Sequence, residues 1–73
     1  MRTDTDTYIA NRIRQVRKAR GRTQVSLAAD LGLHFQIICK YETGQARVFA
    51  ARLCEIAHAL GEPIQSFFPE RPL

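Results

Sequence analysis

The chain has 73 residues, enough for one small domain with a modest core. Its 11 Lys and Arg outweigh its 7 Asp and Glu and give a formal charge of +4, which favours a polyanionic partner. Two cysteines are too few for a secreted disulfide framework and no apolar stretch suits a signal peptide or a membrane span, so we expect a cytoplasmic protein with reduced thiols and no membrane association.

The first predicted helix follows a polar start. The polar composition of residues 1–6 predicts a flexible tail. Its last residue, Asp6, can cap a helix that begins at Thr7 and ends at Arg20. Helical spacing gives this segment an apolar stripe of Ile9, Ile13 and Val16. The same helix and the turn after it carry six basic residues without one acid, which are Arg12, Arg14, Arg17, Lys18, Arg20 and Arg22.

Two short helices across a sharp turn are predicted for residues 24–43. Thr23 can cap the first of them, and Gly32 ends it at Leu31 because glycine takes a left-handed backbone without steric cost. The next helix begins near Phe35, with Ile38 and Tyr41 facing inward. The pattern indicates a helix-turn-helix.

The C-terminal third predicts two more helices. A stripe of apolar residues at helical spacing indicates a fourth helix at about 49–60, and Pro63 suits the first turn of a short fifth helix through about Phe68. Pro69 and Pro72 prevent further helix, so residues 69–73 form a tail. The prediction is an all-α domain of five helices over residues 7–68.

The chain resembles the Xre family of phage-repressor-like helix-turn-helix transcriptional regulators over residues 9–68. Three runs carry the resemblance: RIRQVRKARGRTQVSLAADLGL, FQIICKYETG and RLCEIAHALGEPIQSFF. It implies a compact lambda-repressor-like domain that binds double-stranded DNA sequence-specifically. It also implies a transcriptional regulator, which we expect to be a repressor or a similar regulator, that acts as a homodimer on a palindromic operator.

The resemblance implies that the third helix lies in the DNA major groove. Gln36 can pair with adenine N6 and N7, and Lys40, one turn later, can donate to guanine O6 and N7. Phe35 would contact a thymine methyl group, or would instead pack against the second helix. The candidate base contacts are Phe35, Gln36, Cys39 and Lys40.

A second set of residues is expected to contact DNA phosphates. Gln24 begins the second helix, where backbone N–H groups and the helix dipole favour an anion. His34 can donate through a ring N–H. The candidate phosphate contacts are Thr23, Gln24, His34, Thr43, Gln45 and Arg47. For Arg12, Arg14 and Lys18, direct contact and a merely solvated helix face are equally open.

Two further roles are expected. The family pattern implies a partly buried ion pair between Arg17 and Glu42, which orients the reading helix. The expected dimer interface is the fifth helix and the tail, because their apolar residues exceed what one small core can cover. Its members are Ile64, Phe67, Phe68 and Leu73.

The sequence departs from the family pattern at several positions. His34 stands where Ser or Thr is usual, so we expect a weaker cap on the third helix. Phe49 replaces the expected cap of the fourth helix. Ile37 and Cys39 stand where the similar subgroup commonly carries Gln, and they cannot make the same polar contacts.

Three other functions compete with DNA recognition. An apolar third helix would also suit a protein–protein interaction module that keeps the fold without reading DNA. Two Cys and two His raise the question of a metal, but their spacing is loose, and we expect no metal or other cofactor. No nucleophile, base and orienting group converge and no Gly-rich phosphate loop is present, so we expect neither an enzyme nor a small-molecule substrate.

Overall fold

The computed structural model describes residues 3–71, and these form four α-helices and one 3-10 turn with no strand among them. The helices are α1 (Asp4–Ala19), α2 (Gln24–Leu31), α3 (Phe35–Thr43) and α4 (Ala50–Leu60), and the 3-10 turn is Ile64–Phe67. The all-α prediction is confirmed. The prediction of five helices is wrong, because the fifth segment does not become an α-helix.

The C-terminal turn is short because proline limits it on both sides. Pro63 precedes the turn with φ −59°, and Phe68 ends it in an extended conformation with φ −108° and ψ 147°. A residue before proline is pushed out of the helical region by the proline ring, and Phe68 precedes Pro69. The four residues left between these limits form only 3-10 bonds such as Ser66 N–H to Pro63 O.

The start of α1 also differs from the prediction. The helix begins at Asp4 rather than Thr7, and its cap is Thr3, whose hydroxyl oxygen accepts from the Asp6 N–H at 3.1 Å. The Asp6 carboxylate reaches back to accept from the Thr3 N–H at 2.8 Å, which completes a capping box. Residues 3–6 therefore belong to the folded domain, and residues 1, 2, 72 and 73 lie outside the described part of the chain.

One hydrophobic core joins all four helices and the 3-10 turn. Its largest fully buried side chains are Ile13, Leu27, Ile38, Leu53, Ile56 and Phe67. The 3-10 turn packs against α1 and α4, so Phe67 fills the space beneath them. The prediction that Phe67 belongs to a dimer interface is wrong, because its side chain has no exposed surface to offer a second copy.

The turn between α2 and α3 is set by Gly32. Its backbone has φ +67° and ψ 31°, and the next N–H, that of Leu33, reaches back to the Ala28 carbonyl at 2.9 Å. This bond, five residues back, is the signature of a glycine-ended helix. Leu33 itself packs against the core, and Ala28 is buried where α2 and α3 meet. The predicted bounds of α2 are confirmed.

Candidate nucleic-acid interface

The outward face of α3 presents Gln36 and Lys40. Both side chains are exposed and stand four residues apart, hence one above the other on the helix. Phe35 is 41% exposed, so it is not consumed by packing against α2. Cys39 is half-buried on the same helix. The side chains suited to hydrogen bonding with bases therefore form a short row of one amide and one ammonium group.

Ile37 does not add to this outward face. Its side chain is half-buried and packs against the core. Ile37, which stands where the similar subgroup commonly carries Gln, therefore contributes to the stability of the fold. This placement weakens the case for an apolar protein-binding surface on α3.

His34 caps α3. Its Nδ1 accepts a hydrogen bond from the Gln36 backbone N–H at 3.2 Å, and its ring lies 4.8 Å from the Phe35 ring, centroid to centroid. An imidazole nitrogen therefore fills the place of the usual hydroxyl. Because Nδ1 accepts, a neutral ring carries its proton on Nε2, which stays available as a donor. One side chain can thus cap the helix and donate to a phosphate.

The Arg17–Glu42 ion pair is present and buried. Arg17 Nε donates to Glu42 Oε2 at 2.6 Å and Nη2 donates to Oε1 at 3.0 Å, with side-chain exposures of 9% and 2%. Arg17 Nη1 also donates to the Arg22 carbonyl at 2.8 Å. This two-pronged geometry joins α1 to the end of α3 and fixes the direction in which α3 points.

Gln24 joins the same network, which the sequence did not suggest. Its Nε2 donates to Glu42 Oε1 at 3.1 Å, so α1, α2 and α3 meet on one carboxylate. One Nε2 hydrogen and the N-terminal backbone of α2 remain for a phosphate. Gln24 therefore has a structural role beside its predicted contact.

Two predicted phosphate-binding hydroxyls differ in what they can still donate. Thr23 Oγ1 accepts from the Ser26 N–H at 2.9 Å, which caps α2 and leaves its own proton free to donate. Thr43 Oγ1 instead donates to the Cys39 carbonyl at 2.9 Å. A phosphate oxygen only accepts, so Thr43 would have to break this bond to contact one. Thr43 is a weaker candidate than the sequence suggested.

The loop after α3 carries the exposed residues Gln45 and Arg47. Arg47 is already engaged, because its Nε donates to Asp6 Oδ2 at 3.0 Å and its Nη2 lies 2.9 Å from the same oxygen. The pKa of Asp6 is lowered, first by the hydrogen bond from the Thr3 backbone N–H and further by Arg47. The start of α1 is thereby tied to the candidate interface.

Most of the basic run around α1 is committed to the fold. Arg12 donates to the Ser66 carbonyl at 2.8 Å and Arg20 to Glu62 at 2.6 Å, so both hold the C-terminal segment against α1. Arg22 donates to Ser26 at 2.8 Å and to Asp30 at 2.6 Å along α2. Ser26 and Asp30 follow Arg22 by four and eight residues, a helical spacing that could have indicated these contacts from the sequence.

Arg14 and Lys18 are the exposed basic residues of α1, and neither forms an ion pair with another part of residues 3–71. In the same range, no group of three or more His, Cys, Asp or Glu is arranged to hold a metal ion. None of the described helices has the length and apolar character needed to cross a membrane.

Comparison with known proteins assigns the family. A helix-turn-helix family model matches residues 13–67, well over half of the chain. The chain belongs to the helix-turn-helix family of the Xre, phage-repressor-like type. A relative named as an uncharacterized transcriptional regulator in the ATPase CF(0) region of Rhodospirillum rubrum is 45% identical over 65 residues, which make up 89% of this chain and 60% of the relative. The chain thus spans less than two thirds of that relative.

Solved helix-turn-helix structures confirm the fold and limit what it implies. The restriction-modification controller protein C.AhdI from Aeromonas hydrophila superposes with a TM-score of 0.83 at 27% identity, covering 90% of this chain and all of that one. Hydroxypropylphosphonic acid epoxidase from S. wedmorenis matches equally well, with a TM-score of 0.83 at 28% identity, but only over 36% of the enzyme. The same fold therefore makes up all of the C.AhdI chain and 36% of the epoxidase chain. Because one fold occurs in proteins of different function, the function of this chain must be argued from its side chains.

Proposed function

We propose that this chain is the DNA-reading domain of a transcriptional regulator and that α3 lies in the major groove of its operator. The observation that carries the proposal is the contrast across α3. Ile38 and Tyr41 are buried and Glu42 is held by Arg17 and Gln24, whereas Gln36 and Lys40 are exposed. A helix held rigidly from behind, with an amide and a cation in front, has the chemistry needed to read base edges.

Phosphate contacts would hold the helix in register. The N-terminus of α2 offers the Thr23 hydroxyl and the remaining Gln24 amide proton, and the N-terminus of α3 offers the His34 Nε2–H. The Thr23 hydroxyl and the Gln24 amide carry no charge, so they position the domain without adding to the salt dependence. Lys40 and the exposed Arg14 and Lys18 supply charge, and each contact with a phosphate should add close to one unit to the salt slope.

The proposal is tested by selecting binding sites from random duplex DNA at fixed salt. We expect an enriched site whose preferred bases change when Gln36 or Lys40 is replaced by Ala, while Arg14→Ala leaves the preferred bases unchanged. Failure to enrich any duplex, with the protein folded by circular dichroism, would refute sequence-specific reading. The same preparation can then be tested for a protein ligand, the alternative function.

We further propose that the regulator acts as a homodimer and represses from a palindromic site. One head reads few base pairs, and two heads on a two-fold axis would read half-sites about 34 Å apart. The candidate surface is now smaller than the sequence predicted. Phe68 is 43% exposed and Ile64 is half-buried, while Leu73 lies outside the described residues.

Light scattering tests the dimer, with Phe68→Ser as the variant. We expect twice the mass of the chain at tens of micromolar for the wild type and a shift towards monomer for Phe68→Ser. Phe49→Ser is the matched control, because Phe49 is also an exposed aromatic, at 57%, but lies at the start of α4. A monomeric wild type would refute the dimer.

A further inference from the structure

The ion pair between Asp6 and Arg47 joins parts of the chain that are 41 residues apart. Asp6 lies in the first turn of α1, and Arg47 lies in the loop between α3 and α4. Two nitrogens of the guanidinium, Nε and Nη2, approach one carboxylate oxygen at 3.0 and 2.9 Å. The Arg47 side chain is nevertheless 56% exposed, so the pair lies at the surface, beside the end of the candidate reading helix.

The carboxylate is fixed in place by the cap of α1. Asp6 Oδ2 also accepts from the Thr3 backbone N–H at 2.8 Å and from the Thr3 hydroxyl at 3.1 Å. These donors, together with Arg47, favour the ionised form, and the pKa of Asp6 is lowered accordingly. At neutral pH the protein therefore holds a fixed negative charge against the one arginine of the loop after α3.

A phosphate would bind Arg47 in the way that Asp6 does. The N–H groups of a guanidinium donate to carboxylate and to phosphate oxygens alike, and here Nε and Nη2 both face a single anionic oxygen. We propose that Asp6 occupies the place of a DNA phosphate on Arg47, so that DNA must displace Asp6 to engage this arginine. This inference rests on the proposed function, because it concerns the same interface.

The displacement has a predictable energetic sign. A phosphate that replaces Asp6 on Arg47 gains less binding free energy than a phosphate that binds an arginine without an ion-pair partner. The displaced Asp6 carboxylate is also repelled by the negatively charged duplex. Asp6 thus weakens the part of binding that does not depend on sequence. It lowers the affinity of every complex in which Arg47 contacts a phosphate, whatever the DNA sequence, and leaves the base contacts of α3 untouched.

The test compares Asp6→Asn with Asp4→Asn. Both variants remove one negative charge from the first turn of α1, but Asp4 is exposed, and it is the Asp6 carboxylate that pairs with Arg47. Asn at position 6 can still accept from the Thr3 N–H and keep the cap. By fluorescence anisotropy at low salt, we expect Asp6→Asn to tighten binding to an unrelated duplex about two- to fivefold more than Asp4→Asn does, the range of an exposed ion pair.

Arg47→Ala completes the cycle. If Asp6 acts through Arg47, the difference between Asp6→Asn and Asp4→Asn disappears in the Arg47→Ala background. Equal effects of the two Asn variants would overturn the proposal, as would a difference that survives without Arg47. Weaker binding by Asp6→Asn would also overturn it, since Asp6 would then orient Arg47 towards the phosphate. Thr3→Ala, which frays the cap but keeps the charge, controls for changes in α1.

A DNA-independent measurement separates this inference from the proposed function. The Nε–H resonance of Arg47, followed by NMR, should respond to inorganic polyphosphate at lower concentration in Asp6→Asn than in Asp4→Asn. An equal response in the two variants would overturn the displacement. If the wild type selects no duplex but the two responses differ, the proposed function fails, and what remains is that Asp6 competes with phosphate groups for Arg47.

Discussion

The basic run around α1 and the outward face of α3 are both rich in polar groups, but the fold uses them in opposite ways. Arg12, Arg17, Arg20 and Arg22 all donate to other elements of the same chain. Gln36 and Lys40 point away from the core and remain available to a ligand. A concentration of positive charge in the sequence therefore marks structural ties here more than it marks the interface.

The largest effect should come from breaking the buried tie. Arg17→Ala leaves the Glu42 carboxylate buried with the Gln24 amide as its one remaining side-chain donor within residues 3–71, and we expect a loss of about 3 to 5 kcal/mol in the free energy of unfolding. Arg14→Ala removes an exposed arginine of the same helix and should cost less than about 0.5 kcal/mol. Urea unfolding measures both. Equal urea midpoints for Arg17→Ala and Arg14→Ala would contradict the prediction that the buried arginine contributes more stability than the exposed one.

The next effect concerns binding rather than stability. Lys40→Ala should weaken binding to the selected site by about 1 to 3 kcal/mol, roughly 5- to 150-fold, and relax the base preference at one position. Lys18→Ala removes the same charge from α1 and should change the affinity for the selected duplex and for an unrelated duplex by the same factor. Titrations on the selected and an unrelated duplex distinguish the two. A sequence-specific loss in Lys18→Ala would reverse the roles assigned to the two helices.

A smaller effect is expected at the start of α3. His34→Ala removes the acceptor for the Gln36 N–H and should lower the free energy of unfolding by about 1 kcal/mol. His34→Ser restores a capping oxygen and should recover that stability, but it lacks the reach of the Nε2–H donor. We therefore expect His34→Ser to be stable and still to bind DNA less tightly than wild type. Full affinity in His34→Ser would remove His34 from the phosphate contacts.

The smallest effect should appear in the pH dependence of stability. The Ser66 hydroxyl, and then Arg20, lower the pKa of Glu62 from its ordinary value of 4.5. A lowered pKa adds stability above the unfolded value, and this stability is lost as the pH falls through the folded value. Between neutral pH and about pH 3, Glu62→Gln should lose less stability than wild type does. Glu70→Gln, an exposed control, should follow wild type; identical curves for all three proteins would show that Glu62 contributes nothing.

Local patterns predicted the helices well. Apolar spacing, Thr23 and Gly32 gave both ends of α2, and the start of α3 at Phe35 was also correct. The start of α1 was missed although the sequence contained its signal, since Thr3 and Asp6 have the spacing of a capping box. The fifth helix failed because the restriction that Pro69 places on Phe68 outweighs the apolar pattern.

The sequence by itself predicted α1 to α4, apart from where α1 begins, the glycine-ended turn between α2 and α3, and the resemblance to the family, because each depends on residues close together in the chain. Only the tertiary structure decided which polar groups remain free. Three of the hydrogen-bonded pairs join residues that are far apart in the chain: 25 residues separate Arg17 from Glu42, 41 separate Asp6 from Arg47, and 54 separate Arg12 from Ser66. The same holds for Phe67, whose burial depends on α1 and α4 meeting above it. Periodicity shows which face of a helix is apolar, but a side chain's partner is fixed only when distant segments pack together.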